Sequence, residues 1–219
     1  MKVLITSGGT KIPIDKIRCI SNQSSGTFGR DIAEEFDKER QDVIFVNAKG
    51  SKQPTFIYIG HQKHEFITFD DYRDTVLSLI QTEKPDIIIL AAAVSDYGVK
   101  NAVDGKIRSS EDMVIELYKL PKVISEIRKL ASEAVIVGFK MMVGSTEEEL
   151  IEVAQASLVR NNIDLVVAND WTTIKGNHTI HIVEPNDVVC TVTRQGGDLN
   201  KAVVGRSIRA YDNKRKENS

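Results

Sequence analysis

The residues best suited to hold a phosphate group lie in two short segments near the start of the chain. Gly8-Gly9-Thr10 follows an apolar run directly, and Ser24-Ser25-Gly26 precedes a stretch with helical spacing. Glycines let a backbone approach a ligand closely, and small residues ahead of a helix leave N–H groups that can bind an anion. The second segment could also serve only as the cap of a helix that begins near Thr27. Two such segments in one long loop favour a phosphate site.

A dinucleotide site would need a different arrangement of glycines. The glycines of this loop do not form G-x-G-x-x-G, and the second predicted strand ends in Val46-Asn47-Ala48-Lys49, without the acid that binds a ribose hydroxyl. The sequence also lacks the phosphate-loop pattern G-x-x-x-x-G-K-[ST]. Neither of the two commonest nucleotide fingerprints is therefore present.

A second polar region begins at Ala91-Ala92-Ala93 and runs through Asp96 to Lys106. Three alanines at a predicted strand end leave room for a flat or sugar-like ligand. Asp96 could hold a ribose hydroxyl or help to bind a metal ion, or it could cap a turn. Lys106 lies in a loop rich in Gly, Asp and Ser, where it could swing over a triphosphate or remain a solvated surface lysine.

A third polar region follows the apolar run at residues 165–168, which ends in Asn169 and Asp170. Asn169 could be a turn former or a hydrogen-bonding group in a pocket, and the sequence alone leaves both interpretations open. In an open parallel sheet, ligands bind beyond the carboxyl ends of the strands. The three polar regions are therefore where we expect the chemistry.

Apolar runs that alternate with helical stretches predict the elements that position these residues. Short runs buried on both faces are typical of parallel strands. The sequence thus predicts an α/β fold, a Rossmann-like parallel sheet with helices on both faces. We expect Asp70-Asp71 to precede the second helix and Ser145 to cap the fourth. The predicted strands are residues 2–7, 43–47, 87–93, 135–139 and 165–168, and the predicted helices are residues 28–40, 72–82, 121–131, 146–160 and 201–213.

Beyond Asn169 the apolar pattern changes to a period of two. Thr179–Val183 and residues 188–193, joined by a polar turn, predict a β-hairpin. Little helical sequence is left to cover this hairpin, so we expect a dimer arm at about residues 172–195.

Composition limits the class of protein and its partners. The chain has 219 residues, of which 41% are hydrophobic and 27% charged, as expected for a single globular domain over residues 1–219. Its 29 basic and 31 acidic residues are well mixed and give a net charge of -2, so we expect neither nucleic acid nor a membrane surface as a partner. Cys19 and Cys190 are too few for a disulfide framework, and no signal-peptide core is seen at the start. We therefore expect a cytoplasmic protein.

Taken together, the motifs resemble those of the phosphopantothenate–cysteine ligase family. They are GGT-x-x-PID-x-x-R-x-ISN-x-SSG, AAAVSDY, GKIRSS, GFK and DLVVAND, in the same order and at compatible spacing over nearly the whole chain. The first motif is long and specific, whereas AAAVSDY or GFK alone would be weak. The form KIxSS is more similar to the stand-alone and eukaryotic branch than to the fused bacterial form.

The resemblance implies an activity and a set of site residues. The implied reaction joins 4'-phosphopantothenate to cysteine through an acyl-nucleotide, in a homodimer, with Mg²⁺ and with CTP favoured over ATP. Asn22 and Lys106 are the implied catalytic residues, with Lys106 on a lid loop at about residues 97–112. Arg18, Asn22 and Asn169 are the expected substrate contacts, and Asp96 could lie near Mg²⁺, with no other metal ligand expected from the protein. The expected nucleotide contacts are Gly8, Gly9, Thr10, Ser24, Ser25, Gly26, Ala92, Ala93, Asp96, Phe139 and Lys140.

Three positions depart from the family pattern. Met142 stands where the family often has an acid, and Ser157 and Asn161 replace lysines of the fused enzymes. Because bacterial members mostly use CTP and eukaryotic ones tend to accept ATP, these departures leave the base preference open. Two other functions are also consistent with the pattern, namely an NAD(P)-dependent Rossmann-type reductase and a non-catalytic nucleotide-binding module.

Overall fold

A central sheet with helices on both faces organises the chain. The computed structural model describes residues 1–108, 112–186 and 188–217. The helices are α1 (Thr27–Lys38), α2 (Phe69–Glu83), α3 (Val123–Leu130), α4 (Glu147–Asn161) and α5 (Leu199–Glu217). The strands are β1 (Lys2–Ser7), β2 (Lys11–Pro13), β3 (Cys19–Ser21), β4 (Asp42–Ala48), β5 (Gln62–Phe66), β6 (Ile87–Leu90), β7 (Tyr97–Val99), β8 (Leu117–Lys119), β9 (Val135–Met142), β10 (Leu165–Asp170), β11 (Thr179–Val183) and β12 (Val189–Thr193).

The order of the strands creates a ligand crevice. The sheet runs β12-β11-β10-β9-β6-β1-β4-β5, and β10 to β5 are parallel in this order. From β1 the chain moves outward to β4 and β5, and then returns to β6 on the other side of β1. Ligands bind at such a reversal point in open α/β sheets. The prediction of a Rossmann-like α/β fold is therefore confirmed.

The core lies in two layers, one on each face of the sheet. In β1, Leu4 packs on the side of α2, α3 and α4, whereas Val3 and Ile5 pack on the side of α1 and α5, and all three are fully buried. This burial on both faces explains the continuous apolar run.

Capping boxes fix the starts of α2 and α4. Thr68 caps α2 together with Asp71, and Thr146 caps α4 together with Glu149. In each box the threonine side chain accepts from the backbone of the third helical residue, whose carboxylate binds the backbone of the cap. The prediction of Ser145 as the cap of α4 is therefore wrong, and α2 begins ahead of the acidic pair that we expected to precede it.

Helix α1 lies unusually close to β1. At Gly29, an ideal Cβ would stand 2.5 Å from Ser7 Oγ and 2.8 Å from Ser7 Cβ. The Ser7 hydroxyl in turn donates a hydrogen bond to the Gly26 carbonyl at 2.9 Å. Only glycine fits at position 29 without a shift of the helix.

The C-terminal hairpin extends the central sheet. β11 pairs antiparallel with β10, and Ile180, Ile182 and Val183 are fully buried, with α4 against β11 and α5 against β12. The expectation of a hairpin with little helix to cover it is therefore wrong, because α4 packs against β11 and α5 packs against β12. The role of the hairpin as a dimer arm stays a prediction.

Five strands were not predicted from the sequence. β5 is a partly exposed edge strand, and the two-stranded ribbons β2-β3 and β7-β8 are separate from the central sheet. β2 is joined to the end of β5, because the Lys11 N–H donates to the Ile67 carbonyl just beyond that strand. These short polar elements surround the carboxyl ends of the parallel strands.

Met1 and the last turns of α5 lie at the amino ends of the parallel strands. The Met1 amino group donates to Gln41 Oε1 at 2.9 Å, and the Lys2 N–H donates to Asp86 Oδ2 at 2.8 Å. From α5, the Tyr211 hydroxyl donates to Asp86 Oδ1 at 3.2 Å, and the Lys214 ammonium donates to the Ala134 carbonyl at 3.3 Å. None of the described helices has the length and apolar character needed to cross a membrane.

Candidate functional site

The loops after β1 and β6 meet at the reversal point of the sheet. The Ala93 N–H donates to the Gly8 carbonyl at 2.7 Å, and the Thr10 N–H donates to the Ala93 carbonyl at 3.3 Å. Asn22 Nδ2 also donates to the Ala93 carbonyl, at 3.3 Å, and an ideal Cβ on Gly9 would lie 3.1 Å from the Asn22 carbonyl oxygen. The structure thus brings together residues of two predicted segments in one crevice.

Hydrogen bonds of Thr10 and Ala92 stabilise the loops that form this crevice. Thr10 is fully buried, and its hydroxyl lies 2.9 Å from Ser95 Oγ and accepts from the Ser95 N–H, also at 2.9 Å. The Ala92 N–H donates to Thr6 Oγ1 at 3.2 Å. The Thr10 side chain therefore ties two loops together, and its contact with a nucleotide stays a prediction.

The backbone at Gly8 and Gly26 adopts a conformation that favours glycine. Their φ angles are 82° and 75°, and Gly26 is the N-cap residue of α1. Gly26 has no side chain that could cap the helix, and Ser25 Oγ lies 2.9 Å from Thr27 Oγ1 and accepts from the Thr27 N–H at 3.3 Å. Capping therefore accounts for little of the sequence Ser24-Ser25-Gly26. The first turn of α1 keeps the backbone N–H character that attracts anions.

A cleft of about 960 Å³ opens beside this helix start. It lies between α1, the ends of β9 and β10, the start of the hairpin and the start of α5. Four of the predicted site residues line it, namely Ser24, Ser25, Gly26 and Asn169. The lining residues that the sequence did not single out include Gln23, Thr27, Phe28, Trp171, His178, Arg194 and Asp198.

Asn169 and His178 form a buried polar pair in this cleft. Asn169 belongs to β10, so its interpretation as a turn former is wrong, and its Nδ2 lies 3.2 Å from His178 Nε2. Burial, and then the charge of Arg194, lower the pKa of His178 below its ordinary value. The histidine is therefore neutral at neutral pH, and its Nε2 can accept a hydrogen bond from the Asn169 amide.

Phe139 supports the cleft through Phe28. The rings of Phe28 and Phe139 pack edge to face with centroids 5.7 Å apart, and Phe28 also meets the His178 ring at 5.7 Å. Edge-to-face packing adds stability beyond the burial of the rings. Phe139 therefore stabilises the cleft wall by packing against Phe28, which lines the cleft. Lys140, the next residue in β9, is half-buried.

The loop after β9 is held by Asp170. Its Oδ2 accepts from the Ser145 N–H at 2.9 Å, and its Oδ1 accepts from the N–H of Thr172 at 2.8 Å. The Thr172 hydroxyl and the Ser145 N–H hold the pKa of Asp170 far below its ordinary value. Asp170 thus fixes the loop that follows the GFK motif and shapes this side of the cleft.

Asp96, Lys106 and Arg18 lie away from the cleft. Asp96 is half exposed and forms an ion pair with Lys122. Lys106 is exposed, and no hydrogen bond or ion pair joins its ammonium to another described residue. Arg18 contacts Asp15 and the loop that carries Lys106. The lid loop was predicted over residues 97–112, and its Ser109 and Ser110 lie outside the described residues.

The match to a known family covers most of the chain. Residues 1–210 match the family described as DNA/pantothenate metabolism flavoprotein C-terminal domain. The bifunctional coenzyme A biosynthesis protein CoaBC of Thermococcus kodakarensis is 40% identical over 168 residues, which are 77% of this chain and 41% of the relative. The corresponding protein of Methanocaldococcus jannaschii is 38% identical over 169 residues, which are 77% of this chain and 40% of the relative. The chain thus spans about two fifths of these relatives.

Solved structures share the fold. The DNA/pantothenate metabolism flavoprotein from Streptococcus pneumoniae superimposes with a TM-score of 0.86 at 29% identity, covering 96% of this chain and 99% of that one. A Cab2 mutant in complex with phosphopantothenate-cysteine superimposes with a TM-score of 0.82 at 23% identity, covering 99% of this chain and 88% of that one, which speaks to the fold alone. The chain belongs to the family of DNA/pantothenate metabolism flavoprotein C-terminal domains.

Proposed function

We propose that the protein is a phosphopantothenate–cysteine ligase, which joins 4'-phosphopantothenate to L-cysteine with a nucleoside triphosphate as the driving co-substrate. One observation carries the proposal. The most specific motif folds so that Gly8, Gly9 and Asn22 converge on Ala93 at the reversal point of the sheet, beside the cleft at the start of α1. The relatives named above are coenzyme A biosynthesis proteins, which supports the same pathway for this chain.

The proposed chemistry has two steps. A carboxylate is a poor acyl donor, so its oxygen first attacks the α-phosphorus of the nucleotide, and the bond to pyrophosphate breaks. The cysteine amine then attacks the carbonyl carbon of the acyl-nucleotide and loses a proton, and the nucleoside monophosphate leaves. Amide formation by this route needs charge stabilisation and positioning, and no nucleophile from the protein.

Each need has a candidate residue. Backbone N–H groups of the loops at Gly8 and Gly26 would hold phosphates, and Lys106 would stabilise the charge that builds on the leaving pyrophosphate. Asn22 would hold the acyl group, because its amide already points toward the crevice at Ala93. Arg18 and Asn169 are proposed to contact the acyl substrate.

The nucleotide would be bound with Mg²⁺, which supplies positive charge to the triphosphate. No group of three or more His, Cys, Asp and Glu side chains suited to a metal ion occurs within residues 1–108, 112–186 and 188–217. Mg²⁺ is commonly held by substrate phosphates, water and one or two carboxylates. We propose that Asp96 is the carboxylate nearest to it.

We propose that CTP is favoured weakly over ATP. Ser157 and Asn161, which replace lysines of the fused enzymes, bond to each other along α4 through Asn161 Nδ2 and Ser157 Oγ at 3.1 Å. Neither side chain therefore offers a charge that could contact the base of the nucleotide. The loss of such residues weakens discrimination between bases and does not reverse it.

We propose a homodimer that acts on small molecules in the cytoplasm, with neither nucleic acid nor membrane as a partner. The near balance of 29 basic and 31 acidic residues supports the absence of a polyanion partner. β12 is the edge strand of the sheet, and no further described strand pairs with its outer side. Unpaired edges of this kind are common sites of strand pairing between subunits.

The ligase proposal is tested by pyrophosphate release from the purified protein with Mg²⁺, phosphopantothenate, cysteine and each of the four nucleoside triphosphates in turn. We expect release that depends on phosphopantothenate and is faster with CTP than with ATP. The control omits phosphopantothenate. Pyrophosphate released in this control comes from nonspecific nucleotide hydrolysis and is subtracted. Equal or faster release with ATP would overturn the base preference alone.

The same assay addresses the rival functions. A non-catalytic nucleotide-binding module would give no release that depends on phosphopantothenate. A reductase would be protected against thermal unfolding by NAD(H) or NADP(H). We expect no such protection, because the fully buried Asn47 stands near the end of β4, where a ribose-binding acid would be needed.

A further inference from the structure

The turn between β2 and β3 grips the loop that carries Lys106. The Val103 N–H donates to the Ile14 carbonyl at 3.0 Å, and the Lys16 N–H donates to the Gly105 carbonyl at 2.9 Å. These backbone bonds hold the loop on the amino-terminal side of Lys106. We call residues 14–18 the clasp.

Asp15 holds the loop on the other side of Lys106. Its Oδ2 accepts from the Ile107 N–H at 3.1 Å and lies 3.3 Å from Arg18 Nη1. Arg18 Nη2 also donates to the Ile107 carbonyl, at 3.1 Å. Both backbone groups of Ile107 are therefore bound by the clasp, directly next to Lys106.

The other oxygen of Asp15 organises the clasp itself. Oδ1 accepts from the N–H groups of Ile17 and Arg18 at 2.9 and 2.8 Å. The Asp15 side chain is fully buried, although Arg18 beside it remains one third exposed. A buried carboxylate is costly unless its oxygens are bonded, and here one oxygen serves the local turn while the other serves the loop. The Ile17 N–H, followed by that of Ile107, lowers the pKa of Asp15, so the carboxylate stays charged at neutral pH.

We propose that Asp15 is a positioning residue for the reaction, which acts by binding Ile107 and ordering the clasp, so that the loop is fixed next to Lys106 and the ammonium is held ready for the triphosphate. This inference rests on the proposed ligase function. A lysine on a free loop would lose conformational entropy each time it met a nucleotide, and a loop that is already ordered avoids much of that loss. Asp15 itself touches no reacting atom in this account.

The substitution Asp15→Asn separates the two duties of the carboxylate. An asparagine amide has one acceptor oxygen, and the N–H groups of Ile17 and Arg18 compete for it with the single N–H of Ile107. The variant therefore keeps the local turn and places an NH₂ group against the Ile107 N–H. Asp104→Asn is the matched control, because it makes the same chemical change in the same loop. Among the described residues, the Asp104 carboxylate pairs with the exposed Lys16 ammonium, at 2.9 Å, and such exposed pairs contribute little to stability.

The first measurement is independent of activity. Amide hydrogen exchange should accelerate at Ile107 by about tenfold or more in Asp15→Asn, as expected for loss of a charge-assisted hydrogen bond. The amides of Ile17 and Arg18 should keep their protection, and Asp104→Asn should exchange like the parent. Unchanged exchange at Ile107 would overturn the clasp, whatever the protein catalyses.

The second measurement asks whether Asp15 acts through Lys106. In single-turnover formation of the acyl-nucleotide with CTP, Asp15→Asn should lower the rate by about tenfold in the parent but by less than about twofold in a Lys106→Ala background. A purely structural role would give the same factor in both backgrounds, and that result would overturn the proposal. A parent protein that releases no pyrophosphate would refute the ligase function, while the exchange experiment would still report on the clasp.

Discussion

At the residue scale, two polar side chains are proposed to act in different steps of the reaction. Lys106 is exposed on its clasped loop, whereas Asn22 bonds the Ala93 carbonyl at the crevice. The two residues would meet different parts of the acyl-nucleotide, the phosphates and the acyl group. Substitution of each should therefore impair a different half of the reaction.

We expect Lys106→Ala to slow formation of the acyl-nucleotide and Asn22→Asp to slow its consumption by cysteine. The asparagine amide can donate to a carbonyl oxygen that becomes negative as the amine attacks, and aspartate replaces this donor with a charged acceptor. Loss of one such donor lowers the rate by about a hundredfold or more. Rapid quench with labelled nucleotide should show the intermediate accumulating in Asn22→Asp and nearly absent in Lys106→Ala.

The control for this experiment is Asn213→Asp, the same change at an exposed position on α5. It should turn over like the parent. If Lys106→Ala and Asn22→Asp block formation of the intermediate equally, or if either of them behaves like the control, then the separate roles are wrong.

At the element scale, the contact between α1 and β1 depends on the absence of one side chain. A Cβ at Gly29 would meet Ser7 Oγ at 2.5 Å and the Thr6 carbonyl oxygen at 3.3 Å. The Ser7 hydroxyl cannot move away freely, because it bonds the Gly26 carbonyl at the start of the same helix. An added methyl group would therefore push α1 away from the crevice.

We expect Gly29→Ala to lower the free energy of unfolding by about 1–3 kcal/mol, the range for overpacking of a close contact. Gly205→Ala is the matched control, because nothing lies within 4 Å of its ideal Cβ in α5. Alanine is preferred over glycine inside a helix by up to about 1 kcal/mol, so the control should be neutral or stabilising. Denaturant unfolding measures both. A similar effect of the two substitutions would contradict the close packing of α1 on β1.

The elements that sequence predicts best are those with strong apolar periodicity. The runs in β1, β4, β9 and β10 are buried on both faces, and each was placed within a few residues of its bounds. The run at residues 87–93 was predicted as one strand, but only Ile87–Leu90 forms a strand. The alanines that follow it belong to the crevice. β2, β3, β7 and β8 are too short and exposed to leave a periodic pattern.

Parts of the site depend on tertiary contacts that local sequence does not reveal. Thr10 is fully buried and bonds to Ser95, which comes from another loop and is not marked as its partner by the local sequence. His178 was not predicted, because its surroundings include Phe28, which is distant along the chain, and Asn169, which comes from the neighbouring strand β10. The roles of Asn22 and Lys106 came from resemblance to a family, since neither residue is distinctive alone.

At the scale of the whole molecule, the outer edge of the sheet is the feature that bears on assembly. β12 carries Val189–Thr193 in antiparallel pairing with β11 on one side only, within the part of the chain that the structure describes. Antiparallel pairing of two copies about a twofold axis would continue the sheet across the subunits.

We expect a dimer at micromolar concentration, held together in part by this edge. Sedimentation should give twice the mass of one chain, and the amides on the outer side of β12 should be protected from exchange and lose protection on dilution. The amides of β11, which is enclosed between β10 and β12, serve as the control and should not change. A stable monomer at micromolar concentration would contradict the prediction.

The location of Met1 and of the end of α5 has a practical consequence for measuring how the substrates bind. Both lie at the amino edge of the strands, whereas the crevice and the cleft lie at the carboxyl edge. A linker joined to the protein on this side would therefore anchor it to a sensor surface with its cleft facing the solution. Nucleotide and acid could then be passed over the immobilised protein in either sequence, and the order in which they are taken up could be observed directly.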